Sequence, residues 1–129
     1  MILIMNNGYR DLIVWQKSMD LVDEIYNLVK FLPKEEIYAL SDQMRRAVVS
    51  IPSNIAEGYE RNSKKEYIQF LSVARSSRAE IETQLYICIR QKYLTQKQAE
   101  KSFSLCQEIA KILNALINKE KNCLLPTDY

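Results

Sequence analysis

The chain has 129 residues, of which 26% are charged and 47% hydrophobic, with a formal net charge of +2 at pH 7. This balance is typical of one globular domain and excludes a disordered chain. The absence of histidine excludes Ser-His-Asp and Cys-His catalysis and the Glu-x-x-His pairs of di-iron bundles, and the presence of only two glycines excludes a Gly-rich phosphate loop.

The first predicted helix spans residues 12–32, after a loose N-terminal arm at residues 1–10. Asp11 is the expected N-cap of this helix, and Pro33 ends it. Apolar side chains that repeat at spacings of four and three predict a core-facing seam of Trp15, Met19, Val22, Tyr26 and Val29. A second row widens that seam on one side: Leu12, Ser18, Leu21, Ile25 and Leu28.

The second predicted helix spans residues 42–59, with Ser41 as its N-cap and Gly58 as a left-handed residue near its end. We expect Pro52 to kink it. From residue 47 to residue 56 it carries no charge, so we expect it to be covered on more than one side. Its predicted core residues are Met44, Val48, Ile51 and Ile55.

Capping boxes open the last two predicted helices, at residues 64–92 and 96–122, and residues 123–129 form a tail. Ser63 pairs with Glu66 in the first box, and Thr95 pairs with Gln98 in the second. The outer face of the third helix carries small side chains, which indicate either a second packing face or a weakly polar solvent face. These are Ser72, Ser76, Ala79 and Thr83.

Four helices with short connections predict an all-α, antiparallel up-down-up-down four-helix bundle over residues 11–122. The second helix is apolar on more sides than the core of one bundle covers. This excess indicates a homo-oligomer.

Cys88, Cys106 and Cys123 are widely spaced, which is typical of a reducing compartment. With no run of transmembrane length and no signal-peptide pattern, we expect a cytoplasmic protein without a membrane partner.

Polar residues within the uncharged helix are the first candidate site. They either line a functional site or belong to a buried hydrogen-bonded network that sets the helix register, and the network is the preferred interpretation. Its expected members are Ser50, Asn54, Glu57, Arg75 and Glu80.

Basic residues are the second candidate, as a nucleic-acid surface: Arg45, Arg46, Arg61, Lys64 and Lys65. They fall at the two ends of one helix, about 24 Å apart at a rise of 1.5 Å per residue, so a single patch on one subunit is not expected. In a ring each group would repeat, and weak phosphate contacts would add. The alternative is an ordinary solvated helix turn.

Carboxylates are the third candidate. Glu57, Glu80 and Glu82 suggest an acid/base or metal cluster, but with arginines nearby and no histidine, ion pairs explain them better. We therefore expect no enzyme, catalytic residue, metal or cofactor.

Four segments, in this order, resemble a known family: LIVWQK at 12–17, SDQMRRA at 41–47, SIPSNIAEG at 50–58 and FLSVARSS at 70–77. They resemble the bacterial four-helix-bundle family of 23S rRNA intervening-sequence proteins, over about residues 9–120. The chain departs from the family pattern at four positions. Ala39 and Ser76 replace glycines, Arg78 replaces a leucine, and Glu60 replaces a small residue.

The resemblance implies a homopentamer. It also implies similarity in fold to the accessory variability determinant of diversity-generating retroelements, which binds nucleic acid and a reverse transcriptase. The sequence therefore favours a non-enzymatic oligomer that binds RNA or DNA. The alternative is a scaffold or accessory subunit for a protein such as a reverse transcriptase.

Overall fold

A computed structural model of the chain describes residues 7–124. The part of the predicted arm before residue 7 and the part of the predicted tail after residue 124 lie outside the described residues. Four helices follow one another: α1 (Ile13–Leu28), α2 (Leu40–Tyr59), α3 (Lys64–Arg90) and α4 (Gln96–Asn122). Each helix packs against the next, and α1 also packs against α4, which closes an antiparallel four-helix bundle. The predicted fold class is confirmed.

Short 3-10 turns complete the described part of the chain: Gly8–Asp11 before α1, Val29–Phe31 after it, and Lys34–Glu36 before α2. The predicted first helix, which ended at residue 32, included the turn that follows α1. Helices in the described residues are too short or too polar to cross a membrane.

The core residues predicted for α2 are confirmed, since Met44, Val48, Ile51 and Ile55 are all fully buried. Leucine and isoleucine side chains from all four helices surround them. The largest fully buried side chains of the other helices are Val14, Leu21, Ile25, Leu71, Ile81, Leu85, Ile109, Leu113 and Ile117.

The seam predicted for α1 is wrong, because the helix is rotated relative to that expectation. Of that seam only Val29 is buried, in the turn after α1, while Met19 and Tyr26 are exposed. The row that was expected only to widen the seam is the one that faces the core, and Ser18 lies within it, with its hydroxyl donating to the Val14 carbonyl at 2.6 Å. The reason is that α1 is apolar on two adjacent stripes: one faces the core directly, and the other only borders it, with Trp15 and Val22 half-buried against the core.

Two of the predicted helix caps are wrong. Leu12, not Asp11, is the N-cap of α1, and the Asp11 carboxylate accepts instead from the backbone N–H of Asn7 at 3.0 Å. Helix α2 begins at Leu40, so Ser41 lies inside its first turn and is buried there. The two predicted capping residues of the later helices, in contrast, both accept a hydrogen bond from the backbone. Helix α4 forms the complete reciprocal box.

Gly58 does not end α2 in a left-handed conformation, as the sequence suggested. It lies within the helix, where a Cβ atom would come within 2.6 Å of Phe70 Cβ, so glycine is needed for close packing of α2 on α3. The residue that does adopt a left-handed conformation after a helix is Lys92, with φ 63°. Its N–H donates to the Ile89 carbonyl and that of Tyr93 donates to the Cys88 carbonyl, which is a Schellman arrangement.

Helix α2 runs through Pro52 without interruption from Leu40 to Tyr59. Proline lacks an N–H, so the Val48 carbonyl loses its usual partner within the helix. The Pro52 ring is buried and forms part of a groove between α1 and α2, which is described below.

We expect Gly58→Ala to lower the free energy of unfolding by about 1–2 kcal/mol. The added methyl group forces α2 and α3 apart, and the cost of this displacement exceeds the gain in helix propensity from alanine. Urea denaturation followed by circular dichroism measures this. The matched control is Gln43→Ala, an exposed position on the same helix, where the change should stay within about 0.5 kcal/mol. An equal or higher urea midpoint for Gly58→Ala than for the unmodified chain would contradict the close-packing account.

Candidate functional site

The uncharged middle of α2 meets α3 through a small hydrogen-bonded cluster of Ser50, Asn54 and Ser77. The hydroxyl oxygens of Ser50 and Ser77 are 2.9 Å apart. The Asn54 amide nitrogen donates to the Ser50 carbonyl at 2.7 Å and to the Ser50 hydroxyl oxygen at 2.8 Å. Either hydroxyl can donate in the contact between Ser50 and Ser77, because the Ser50 oxygen can accept a second hydrogen bond beside the one from Asn54. These polar groups therefore find partners within one subunit, as buried polar groups usually do.

The other expected members of the network point elsewhere. Arg75 donates to Asn114 on α4 at 3.0 Å, and Glu57 pairs with Arg61 at 2.9 Å. Glu80 accepts from Gln84 at 3.2 Å. The five predicted residues thus do not form one network among the described hydrogen bonds, because Arg75 lies on the side of α3 that faces α4.

Ser77 is the partner that sequence reasoning missed. It lies between Ala74 and Ile81 at the three- and four-residue spacing of the core side of α3, and that spacing was the signal available for it.

A groove of about 350 Å³ runs between α1 and α2 on the outside of the bundle. No charged side chain lines it. Met19 and Val49 are each 39% exposed there, although both are apolar. We call it the apolar groove, and its residues are Tyr9, Trp15, Met19, Val22, Val49, Pro52, Ser53 and Ala56.

A second outward surface, the outer α3 face, consists of Val73, Ser76, Glu80, Thr83 and Ile87, which repeat at spacings of three and four along the helix. Val73 is 47% exposed and Ile87 41%. The Ser76 hydroxyl donates to the Ser72 carbonyl and the Thr83 hydroxyl to the Ala79 carbonyl, at 3.1 and 3.0 Å. Because these protons are already used within the helix, another helix covering this face would leave no hydroxyl proton unpaired.

The predicted basic residues divide into two groups at opposite ends of α2, and one subunit does not bring the groups together. Three of the five form ion pairs: Arg46 with Asp42 at 2.9 Å, Arg61 with Glu57 at 2.9 Å and Lys64 with Glu120 at 3.8 Å.

Within residues 7–124, Arg45 and Lys65 have no carboxylate partner. Arg45 makes one hydrogen bond, at 3.4 Å, to the backbone carbonyl of Ile37. These two cations therefore keep their charge available for an anion from outside the subunit.

Arg45 also belongs to a cavity of about 420 Å³ where the chain turns from α1 into α2. Lys30 and Lys34 line the same cavity, and sequence reasoning missed both of them. The signal was their position on either side of Pro33, in a turn that returns the chain to the start of α2. We call this the basic cavity, lined by Tyr26, Val29, Lys30, Leu32, Lys34, Ile37, Ser41 and Arg45.

The carboxylates do not assemble into an acid/base set. Glu82 pairs with Arg78 at 3.0 Å, with side chains 25% and 19% exposed, so the charge of Arg78 is paired one turn along its own helix. Burial, with Glu82 adding to it and Arg78 opposing, raises the pKa of the nearby Cys106 thiol to about 12. That thiol is therefore protonated at neutral pH and is not a nucleophile. The described residues hold no group of three or more Cys, Asp or Glu that suits a metal ion.

Residues 10–115 match the family model described as 23S rRNA-intervening sequence protein. The chain belongs to this family. It is similar to the crystal structure of a protein of unknown function from the S23 ribosomal protein family of Bacteroides thetaiotaomicron VPI-5482, with 33% identity and a TM-score of 0.75. The match covers 81% of this chain and 98% of that one. No protein with a curated description matches.

Membership in the 23S rRNA-intervening sequence protein family confirms the resemblance found in the sequence, and the solved relative supports the four-helix bundle. Neither the description of the family nor that of the solved relative names an enzymatic activity.

We expect Glu82→Ala to lower the free energy of unfolding by about 2 kcal/mol, because it leaves the mostly buried Arg78 charge without its partner. Urea denaturation at fixed protein concentration measures this. The control, Glu57→Ala, removes an exposed pair and should cost about 0.5 kcal/mol or less.

Arg78→Leu removes the charge and should be neutral or stabilising, since an apolar side chain replaces a charge that is costly to bury. Equal losses for the two glutamate variants, or a loss for Arg78→Leu as large as that for Glu82→Ala, would refute this account of the pair.

Proposed function

We propose that the chain is a non-enzymatic subunit of a homo-oligomer, a pentamer as the family resemblance implies, that binds RNA or DNA through a repeated basic surface. The observation that carries the nucleic-acid part is the basic cavity. There Lys30, Lys34 and Arg45 come together, and within residues 7–124 none of them pairs with a carboxylate. Unneutralised cations that face one opening attract polyanions.

The apolar groove supports assembly with further copies. Soluble proteins rarely leave a continuous apolar surface uncovered without an interaction that uses it. Met19 and Val49 are exposed in this groove, and only uncharged residues line it, from α1, from α2 and from the turn before α1. Covering it with protein would remove that apolar area from water, which favours association.

The outer α3 face of a second copy is the proposed occupant. Its small side chains, Ser76 and Thr83, allow close approach, and Val73 and Ile87 supply apolar contact. The exposed Glu80 between them, which accepts a hydrogen bond from Gln84, is the one charge on this face. Since groove and face are different surfaces of the same chain, their contact is head-to-tail, and such contacts generate closed rings when the rotation closes.

Assembly strengthens the case for nucleic-acid binding. One subunit offers few phosphate contacts, but a ring repeats the basic cavity once per subunit. Contacts that are weak singly then act at high effective concentration on one strand. The two separated basic groups of α2 consequently do not need to meet within a subunit.

The test has two parts. Light scattering at micromolar concentration should give a molar mass near five times the chain mass of 15.1 kDa. Fluorescence anisotropy with labelled single-stranded and duplex RNA and DNA should show an affinity that falls by about 10²-fold between roughly 50 and 200 mM salt, because phosphate contacts release counterions.

Arg45→Gln should weaken this binding and reduce its salt dependence. Lys111→Gln, which removes an exposed cation from the middle of α4, is the charge-matched control and should leave binding unchanged. Salt-independent binding, or equal losses in the two variants, would contradict the phosphate-contact mechanism. An oligomer that binds no nucleic acid would instead favour a protein-binding scaffold.

A further inference from the structure

Three cations from three successive elements converge on the basic cavity. Lys30 lies in the turn after α1, Lys34 in the turn before α2, and Arg45 in α2 itself. Neighbouring carboxylates do not neutralise them. Glu35 and Glu36 belong to the intervening turn but do not line the cavity, and Asp42 pairs with Arg46.

Ser41 adds a hydrogen-bond donor to the cavity. This residue is only 2% exposed and lines the cavity, and among residues 7–124 its hydroxyl makes no hydrogen bond to another group. Its oxygen does not belong to the fully buried side-chain atoms without a partner, so it reaches the open space of the cavity. There it is free to donate to an anion.

The first turn of α2 adds to this field. Ala39 is its N-cap, and no side chain caps the backbone N–H groups of the turn. The N-terminal end of a helix carries a partial positive charge that favours anions. The cavity therefore combines three full positive charges, a helix end and one unpaired hydroxyl.

The remaining walls are apolar or aromatic: Val29, Leu32, Ile37 and Tyr26, whose side chain is 41% exposed. A wall of this kind suits an organic group attached to the anion, and an exposed tyrosine ring can stack on a nucleobase. A volume of about 420 Å³ is in the range of small-ligand sites.

A phosphate monoester fits this arrangement better than a phosphodiester inside a strand. A monoester carries a charge of about −1.5 to −2 at neutral pH and has three free oxygens. An internal phosphodiester carries a single charge and has sugars on both sides, which hinder its entry into a concave site. The charge and the shape of the cavity therefore both favour a phosphate at the end of a nucleic-acid strand over one inside it.

We infer that the basic cavity binds the terminal phosphate of a nucleotide, with Lys30, Lys34 and Arg45 neutralising it and Ser41 donating a hydrogen bond. This inference rests on the proposed function in that Arg45 is the anion-binding residue of both. The terminal phosphate belongs either to the end of a nucleic-acid strand or to a free mononucleotide.

The experiment compares one labelled oligonucleotide in three forms, with a 5′-phosphate, a 3′-phosphate or no terminal phosphate. Adenosine 5′-monophosphate and inorganic phosphate serve as competitors. A terminal phosphate should tighten binding by about tenfold or more in the unmodified chain. The difference between forms should disappear in Lys34→Gln and shrink in Ser41→Ala, while Lys111→Gln keeps it.

Each outcome of this comparison either supports or overturns the inference. Equal binding of all three forms, with no competition by the mononucleotide, overturns the inference but leaves salt-dependent strand binding intact. Direct binding of adenosine 5′-monophosphate that Lys34→Gln abolishes, without any strand binding, supports the inference and refutes the proposed function. Circular dichroism verifies the fold of each variant, and Lys30→Gln replaces Lys34→Gln if the latter is unfolded.

Discussion

The close packing of α2 against α3 is the constraint on which the rest of the structure depends. At one end the helices approach so closely that a Cβ atom on Gly58 would lie 2.6 Å from Phe70 Cβ. In the middle, the hydroxyls of Ser50 and Ser77 meet at 2.9 Å. These contacts set the rotation of α2, and its opposite side, which carries Val49, is consequently turned outward beside α1. The apolar groove follows from this rotation.

The rotation of each helix about its own axis decides which of the predictions from the sequence are correct. Periodicity predicted four helices and the buried row of α2, because Met44, Val48, Ile51 and Ile55 repeat at spacings of four, three and four. It failed for α1, where adjacent apolar stripes, one with Met19 and one with Leu21, compete for the core, and only packing decides between them. It also assigned Gly58 to a left-handed turn, although the left-handed position is occupied by Lys92. A glycine required by a neighbouring helix looks the same in sequence as one required by its own backbone.

The candidate site shows a similar limit. Arg45 was predicted from its charge, but Lys30 and Lys34 were missed, because their convergence depends on how the chain folds back at Pro33. Ser41 was assigned to a cap since serine favours that position, and its burial beside the cavity depends on α2 beginning two residues earlier. Single residues can be predicted from local preference, whereas a site made by three elements requires the fold.

In the proposed assembly, the outer α3 face of one copy covers the apolar groove of the next. Cysteine cross-linking tests this contact, with Val49→Cys in one copy and Val73→Cys in a co-expressed, differently tagged copy. Both carry Cys123→Ser, because Cys123 is exposed while the other two cysteines are buried. We expect a disulfide-linked pair that joins the two variants and does not form when either variant is expressed alone. Cross-linking within each single variant, or none in the mixture, would contradict it.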